Sequence, residues 1–202
     1  YDTDDEQYFN DTSIRTAVDL WFRDREQAIK QYGVISTWNV GNVTNMVNLF
    51  RGKEDFNSDI GGWNVRAVTN MSFMFYNAKS FNQDIGRWNV GNVTNMRNMF
   101  YGAESFDKDI GQWNVGKVTN MESMFSGAES FNQDLGSWER GSSTEGTLSN
   151  VTTMDSMFLD AYSFNNNGSM SIAGWDVGNV RSMDSMFLSA RSFNQNISPW
   201  NV

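Results

Sequence analysis

The 202-residue chain contains no cysteine, no histidine and a single proline. Without cysteine there is no disulfide framework, no thiol nucleophile and no thiolate metal site. Without histidine the chain lacks the usual general base near neutral pH and the commonest transition-metal ligand. Positive charge is also short: 15 Lys and Arg against 24 Asp and Glu give a net charge of −9, which argues against tracking nucleic-acid phosphates. No apolar run approaches the length of a membrane span. Neither a nucleic-acid partner nor a transmembrane segment within the chain is expected.

Aromatic and small residues dominate instead, with 8 Trp, 15 Phe, 12 Met and 17 Gly. Trp recurs at 38, 63, 88, 113 and 138 in steps of 25, then at 175 and 200. Self-similarity at a fixed period marks a repeat architecture. The step from Trp138 to Trp175 is longer by 12 residues, which fall in 139–150 and near 165–170, both rich in Ser, Gly and Asn. These read as loop insertions into an intact unit.

One unit runs FNQDIGRWNVGNVTNMRNMFYGAES from Phe81 to Ser105. Ile85, Trp88 and Val90 end in a period-two alternation, which predicts a short strand with Trp and Val facing inward. Met96, Met99, Phe100 and Ala103 follow i, i+3, i+4, i+7, the spacing of one face of a short helix. The residue before that run is Asn45, Asn70, Asn95, Asn120, Thr153 and Ser182 in successive units, all good helix N-caps. A strand-plus-short-helix unit cannot bury both apolar faces alone, whereas stacked copies can. Strands of neighbouring units would lie about 4.8 Å apart in a parallel sheet. The predicted fold is therefore α/β, a right-handed leucine-rich-repeat-like solenoid of about seven 25-residue units.

Three segments follow. Residues 1–12 carry Asp2, Asp4, Asp5, Glu6 and Asp11 with no base, and read as a solvated acidic leader or linker. Residues 13–33 show helical spacing from Ile14 to Tyr32, with Thr12 or Ser13 as cap and Gly33 as terminator, and read as one N-terminal capping helix. Residues 34–202 are the repeat array. In its fifth unit Arg140 stands where the other units place the inward Val. The first residue is Tyr and nothing at the start resembles a signal peptide, as expected of a processed or excised piece. Trp200-Asn201-Val202 stops after another Trp-x-Val, and continuation or partner packing is expected over a bare edge.

The sequences WNVGNVTNMRNMF and SFNQDIG resemble the repeat of the BspA-type, leucine-rich-repeat-like surface proteins of bacteria, mycoplasmas and microbial eukaryotes. The resemblance spans about 34–202, and the segment Tyr32-Gly33-Val34-Ile35 is similar to the one that opens such arrays. It implies a secreted or surface-displayed protein acting in adhesion or protein binding. It implies no catalytic residues.

Several columns of the repeat admit a functional reading. Asp59, Asp84, Asp109 and Asp134 share one position, with Asn196 in the last unit. They are candidates for a calcium-type ladder, or each bonds the amides of its own turn, as Asp commonly does. The unit lacks the clustered spacing of known calcium loops, so no metal and no cofactor is expected. Asn39, Asn64, Asn89, Asn114, Glu139, Asp176 and Asn201 lie between inward Trp and Val and should face outward. Beside them Thr37, Gly62, Arg87, Gln112, Ser137, Gly174 and Pro199 vary from unit to unit. From these two columns Asn39, Asn64, Arg87, Asn89, Gln112, Asn114, Glu139 and Asp176 make the candidate interaction surface. A threonine column (Thr44, Thr69, Thr94, Thr119, Thr152) raises ice or glycan binding, with turn chemistry as the simpler reading. Asn10, Asn150 and Asn167 are the sequons placed to accept a glycan on a secreted chain.

The functional expectation is a non-enzymatic extracellular or cell-surface interaction module that binds protein or glycan through the strand face. The alternative is a subunit of an extracellular filament or layer, joined to copies of itself through the C-terminal repeat. An enzyme would need paired carboxylates in one groove, for which Glu139 and Asp176 are the nearest candidates.

Overall fold

The computed structural model describes residues 8–139 and 148–202. Its interior is built from ring columns. Phe50, Phe75, Phe100, Phe125, Phe158 and Phe187 stack face to face at centroid separations of 5.5–5.7 Å. A second column, Phe56, Phe81, Phe106, Phe131, Phe164 and Phe193, runs beside it at 5.7–6.0 Å. Within a unit the two rings lie closer still, 3.9 Å apart for Phe75 and Phe81. The tryptophans form a third column and are all buried from Trp38 to Trp200. From Trp63 onward each indole N–H of the column donates to a carbonyl of the preceding unit, as from Trp113 Nε1 to Ile85 O at 3.1 Å and Trp200 Nε1 to Ile172 O at 2.9 Å, while Trp38 Nε1 donates to Gly33 O at 3.1 Å. A buried indole usually finds such a partner, and within the array the Ile-x-x-Trp spacing provides it, whereas Trp21 Nε1 of the leading helix is buried without one.

The expected α/β leucine-rich-repeat-like solenoid is overturned. Among the described residues there is no strand and no sheet, only isolated parallel bridges at single positions such as Asn70 with Asn95 and Asn95 with Asn120. The apolar triplet read as a strand runs instead through consecutive tight turns: Trp88 N donates to Ile85 O at 3.1 Å and Val93 N to Val90 O at 2.8 Å. The expected repeat helix is absent too. Met99 N, Tyr101 N and Ala103 N close three-residue turns onto Met96, Asn98 and Phe100, at 3.0–3.3 Å. The amides between them reach forward to the next unit, Asn98 N to Glu122 O, Phe100 N to Met124 O and Gly102 N to Ser126 O, at 2.7–2.9 Å. Left-handed backbone at Asn98 and Gly102 breaks any helix there. The i, i+3, i+4 side chains still point inward, so the hydrophobic period fits a helix while alternate amides stitch units together.

The only α-helices among the described residues precede the array: α1, Ser13–Arg23, and α2, Arg25–Tyr32. The single helix expected over 13–33 is broken at Asp24, whose extended backbone (φ −150°, ψ 91°) and Oδ1, accepting from Gln27 N at 3.0 Å, cap α2. Neither Thr12 nor Ser13 caps α1 with its side chain. Asn10 does so, its Oδ1 accepting from the amides of Thr12 and Ser13 at 2.9 Å each. Phe9 is buried, so part of the expected acidic leader packs into the fold. Residues 1–7 lie outside the described set.

α1 and the segment before it close the outer edge of the first unit. The Asp11 carboxylate accepts from Thr44 N and Thr44 Oγ1 at 2.7 Å each and from Asn45 N at 3.0 Å. In every later unit the equivalent amide, a threonine's except for Arg181 in the last, bonds a carbonyl of the unit before, as Thr94 N does to Thr69 O at 2.8 Å. Arg15 supplies the complementary donors, to Val47 O at 2.7 Å and Asn45 O at 3.2 Å. These carbonyls correspond to Ser72 O and Asn70 O, which accept from Asn48 N and Met46 N of the neighbouring unit.

The fifth unit keeps its interior despite the insertion. Leu148, not Arg140, takes the place of the inward valine: it is fully buried, and Val151 N donates to its carbonyl at 2.8 Å, as Val93 N does to Val90 O. The insertion therefore falls between Glu139 and Leu148, and residue 140 lies outside the described set. Near 165–170 the chain makes short 3-10 turns, Asn166–Gly168 and Met170–Gly174. Asn166 is completely buried there, its Oδ1 accepting from Leu135 N at 2.8 Å and its Nδ2 donating to Ser169 O at 2.7 Å.

Candidate functional site: the outward asparagine face

Asn64, Asn89, Asn114 and Asp176 are exposed and Asn39 is half-buried, in a row beside the buried tryptophans. The Glu139 side chain lies outside the described set. Each described member accepts a bond from the amide two residues on: Asn39 Oδ1 from Gly41 N at 3.2 Å, Asn89 from Gly91 N at 3.2 Å, Asn114 from Gly116 N at 3.0 Å and Asp176 from Gly178 N at 3.2 Å. Asn64 does the same with Arg66 N at 3.3 Å. These are Asx turns, so the constancy of the column follows from backbone geometry.

Other constant polar positions also carry structural duties. Asp59, Asp84, Asp109 and Asp134 each accept from the glycine amide two residues on, at 2.8–3.0 Å. No group of three or more acidic side chains suited to a metal occurs among the described residues. Burial pushes the Asp134 carboxyl up, but the Ser171 hydroxyl at 2.7 Å, the Gly136 amide and donors on Ser169 and Asn166 outweigh it and hold Asp134 below the usual carboxylate value. The threonine hydroxyls donate back to the preceding threonine carbonyl at 3.1–3.3 Å, which ties them to the stack. Of the residues expected as helix caps, Asn45, Asn70, Asn95 and Asn120 make Asx turns instead, Asn95 Oδ1 accepting from Arg97 N at 2.9 Å, while the Thr153 and Ser182 hydroxyls donate to Asp155. Asp155, held low chiefly by the Ser182 hydroxyl, takes this duty for the last unit by accepting from Asp184 N at 2.8 Å.

The Phe-Asn-Gln motif adds another stitch, not anticipated from the sequence. Asn57, Asn82, Asp107, Asn132 and Asn165 each accept the amide of the matching residue in the next unit, at 2.8–3.0 Å. Gln83, Gln133 and Gln195 donate back to the same residues. Of the glycan candidates, Asn10 and Asn167 are exposed, while the Nδ2 of exposed Asn150 donates to Gly116 O at 2.6 Å.

One column behaves differently. Thr37, Gly62, Arg87, Gln112, Ser137, Gly174 and Pro199 are exposed in every unit. No side-chain hydrogen bond from Arg87, Gln112 or Ser137 occurs among the described residues, and these are also the positions where residue type changes most.

A half-buried aromatic cluster also went unread in the sequence. Phe73 occupies a left-handed position (φ 59°) that its equivalents give to Asn48, Asn98, Ser123, Ser156 and Ser185. Arg51 lies over the Phe73 ring at 5.3 Å and over Tyr76 at 4.8 Å, and Tyr76 stacks on Tyr101 at 4.6 Å. The signal was there: an aromatic in a column otherwise restricted to Asn and Ser.

A family described as a Mycoplasma protein of unknown function, DUF285, matches residues 16–138, 84–167 and 146–202 in overlapping hits. The chain belongs to this family. The repeated matches agree with the internal period. No curated protein and no solved structure matches the chain. Among the described residues no helix is long and apolar enough to cross a membrane.

Proposed function

We propose that this DUF285 member is an extracellular or cell-surface interaction module, of the BspA type its repeat resembles, that binds protein or glycan through the outward asparagine face and performs no catalysis. The reading rests on one observation: the exposed column from Thr37 to Pro199 varies on a scaffold whose other repeated polar residues are committed to turns and stitches. Constant positions hold the shape, and the free positions are where recognition can be written without loss of stability. Neither nucleic acid nor a membrane-spanning role suits an exposed face in a chain of net charge −9. Saturable binding of the fluorescently labelled chain to intact cultured cells tests this. Arg87→Glu with Gln112→Glu should weaken it at least tenfold, while Glu104→Ala on the rim, where Lys79 lies 3.8 Å away, should not. Absence of saturable binding, or equal binding by both variants, contradicts the proposal.

A second reading, a subunit assembling with copies of itself into a filament or layer, is favoured by the face beyond the last ring pair. Met183, Phe187, Ile197, Trp200 and Val202 line an apolar depression there of about 420 Å³. The opposite end is occupied by α1, so head-to-tail growth requires that helix to leave. Concentration-dependent association in sedimentation, abolished by Val202→Glu, supports this reading, and a monomer at all concentrations contradicts it.

A further inference from the structure

We infer that the face built from residues 47–51 and their equivalents in later units joins two copies of this chain in a closed, antiparallel dimer. This contact shares no residue with the asparagine face or with the head-to-tail surface above.

Hydrogen bonds between units fix the rows of the face. The amides of Phe73, Asn98, Ser123 and Ser156 bond the carbonyls of Arg97, Glu122, Asp155 and Asp184 in turn, which sets those four residues in one row. The amides of Gly52, Asn77, Gly102, Gly127 and Asp160 do the same for Tyr76, Tyr101, Ser126, Leu159 and Leu188, and Arg51 opens this second row. The phenylalanine column beneath rises 5.5–5.7 Å per unit and successive rings tilt by only 2–9°, so the face runs without a sharp bend.

Its chemistry reverses from one end to the other. The first three units carry cations and rings. Arg51 lies over Phe73 at 5.3 Å and Tyr76 at 4.8 Å, Arg97 lies over Phe73 at 5.9 Å, and Tyr76 stacks on Tyr101. The last three carry anions in the first row, Glu122, Asp155 and Asp184, and leucines in the second, of which Leu188 is 58% exposed. Arg51 and Asp184 are both exposed, and neither is in an ion pair among the described residues. Midway, Arg97 Nη2 meets Glu122 Oε1 at 2.9 Å.

A two-fold axis at that midpoint, lying along the chain direction, lays each row antiparallel on its own copy. Arg97 of each copy then meets Glu122 of the other, Arg51 comes against the unit of Asp184 and Leu188, and Tyr76 against Leu159. In the neighbouring threonine column the same axis sets Arg181 against Thr44, which holds the Asp11 carboxylate. An isologous interface requires a surface complementary to itself, and a charge pattern that reverses about its centre is one, with opposite signs facing each other. A foreign acidic partner would match only the first three units, and a parallel copy would bring like charges together. Tyr and Arg are also the residues that most often anchor interfaces. Phe73 keeps a left-handed backbone (φ 59°) at a cost in stability, and such strain persists where the side chain is used in binding.

Sedimentation equilibrium of the full chain at about 50 mM and about 500 mM salt tests this. Monomer and dimer, with nothing larger, are expected, and the dimer should weaken at the higher salt. Arg51→Glu and Asp184→Arg should each weaken it at least tenfold with the melting temperature held within about 2 °C. Together they restore the facing charges and should recover the affinity to within about threefold. Phe73→Asn should weaken the dimer while raising the melting temperature of the monomer. Val202→Glu should leave the dimer unchanged. A monomer at every concentration overturns the proposal, as does a dimer indifferent to both single charge reversals, or a double variant no tighter than the singles. Association that Val202→Glu abolishes and Arg51→Glu leaves intact also overturns it, and leaves the head-to-tail reading standing.

Discussion

The outer edge of the first unit and the edges between internal units face the same problem and solve it with different chemistry. Between units, backbone meets backbone: Thr94 N finds Thr69 O, and Asn98 N finds Glu122 O. At the first unit no repeat precedes, and side chains stand in for it. Asp11 presents oxygens to Thr44 and Asn45, and Arg15 presents donors to the carbonyls of Asn45 and Val47. An internal edge thus rests mainly on neutral peptide groups protected by ring columns, whereas the first edge rests on two half-buried charged side chains, Asp11 and Arg15. Away from Asp134 and Asp155, whose carboxyls are also held low, the interior should be indifferent to mild acid, and the first edge should not.

The largest effect should come from the internal columns. Trp113→Ala empties a fully packed site and removes the bond to Ile85 O, and is expected to cost about 3–5 kcal/mol in denaturant unfolding. Gly111→Ala comes next, because its Cβ would lie 2.6 Å from the Asp134 carbonyl oxygen of the following unit. A loss of about 1–3 kcal/mol is expected, against little change for Gly91→Ala, whose Cβ would meet Asn89 Oδ1 at 3.3 Å.

The first edge should respond more weakly, and to pH. Asp11→Ala leaves Thr44 and Asn45 amides without their acceptor and is expected to cost about 1–2 kcal/mol at pH 7. Burial raises the Asp11 carboxyl, but bonds from Thr44 and Asn45 and the charge of Arg15 outweigh it, so it sits below its ordinary value of 3.8. A lowered folded-state value means that the stabilisation is complete above the unfolded value and is lost as pH falls through the folded one. The wild type should therefore lose part of its stability below about pH 4. Asp11→Asn should make that acid limb shallower, leaving the share of Asp134 and Asp155, as read by thermal melts across pH 2–7.

The smallest effects should lie on the surface. Phe73→Asn, which relieves a left-handed aromatic, should stabilise by about 0.5–1 kcal/mol. Gln112→Ala should change stability by less than about 0.5 kcal/mol.

The interior was legible because a 25-residue period places Trp, Phe, Met and Val in register, and registered apolar residues have one economical arrangement. The backbone between them was not. The run Met96, Met99, Phe100, Ala103 has helical spacing, yet Asn98 and Gly102 sit four apart in left-handed conformations. Those two columns, Asn and Ser at the first apart from Phe73, and Gly, Asn, Asp and Ser at the second, were a visible warning against a helix. The strand reading failed at Ile85-x-x-Trp88, where the three-residue step fits a turn as well as an extended segment. Arg140 was misplaced because an insertion directly after Glu139 hides the true register until Leu148 is seen buried. On the candidate face, outward orientation was legible from alternation with Trp and Val. The packing of Phe9 and Tyr32 on Trp38 was not, since both come from outside the repeat.

Through-hydrogen-bond scalar couplings measured by NMR test the turn-and-stitch backbone most directly. The structure predicts coupling from the Phe100 amide to the Met124 carbonyl and from the Met99 amide to the Met96 carbonyl, at bond lengths of 2.9 and 3.1 Å. Coupling from Phe100 back to Met96 would reveal a helix in the repeat and contradict it.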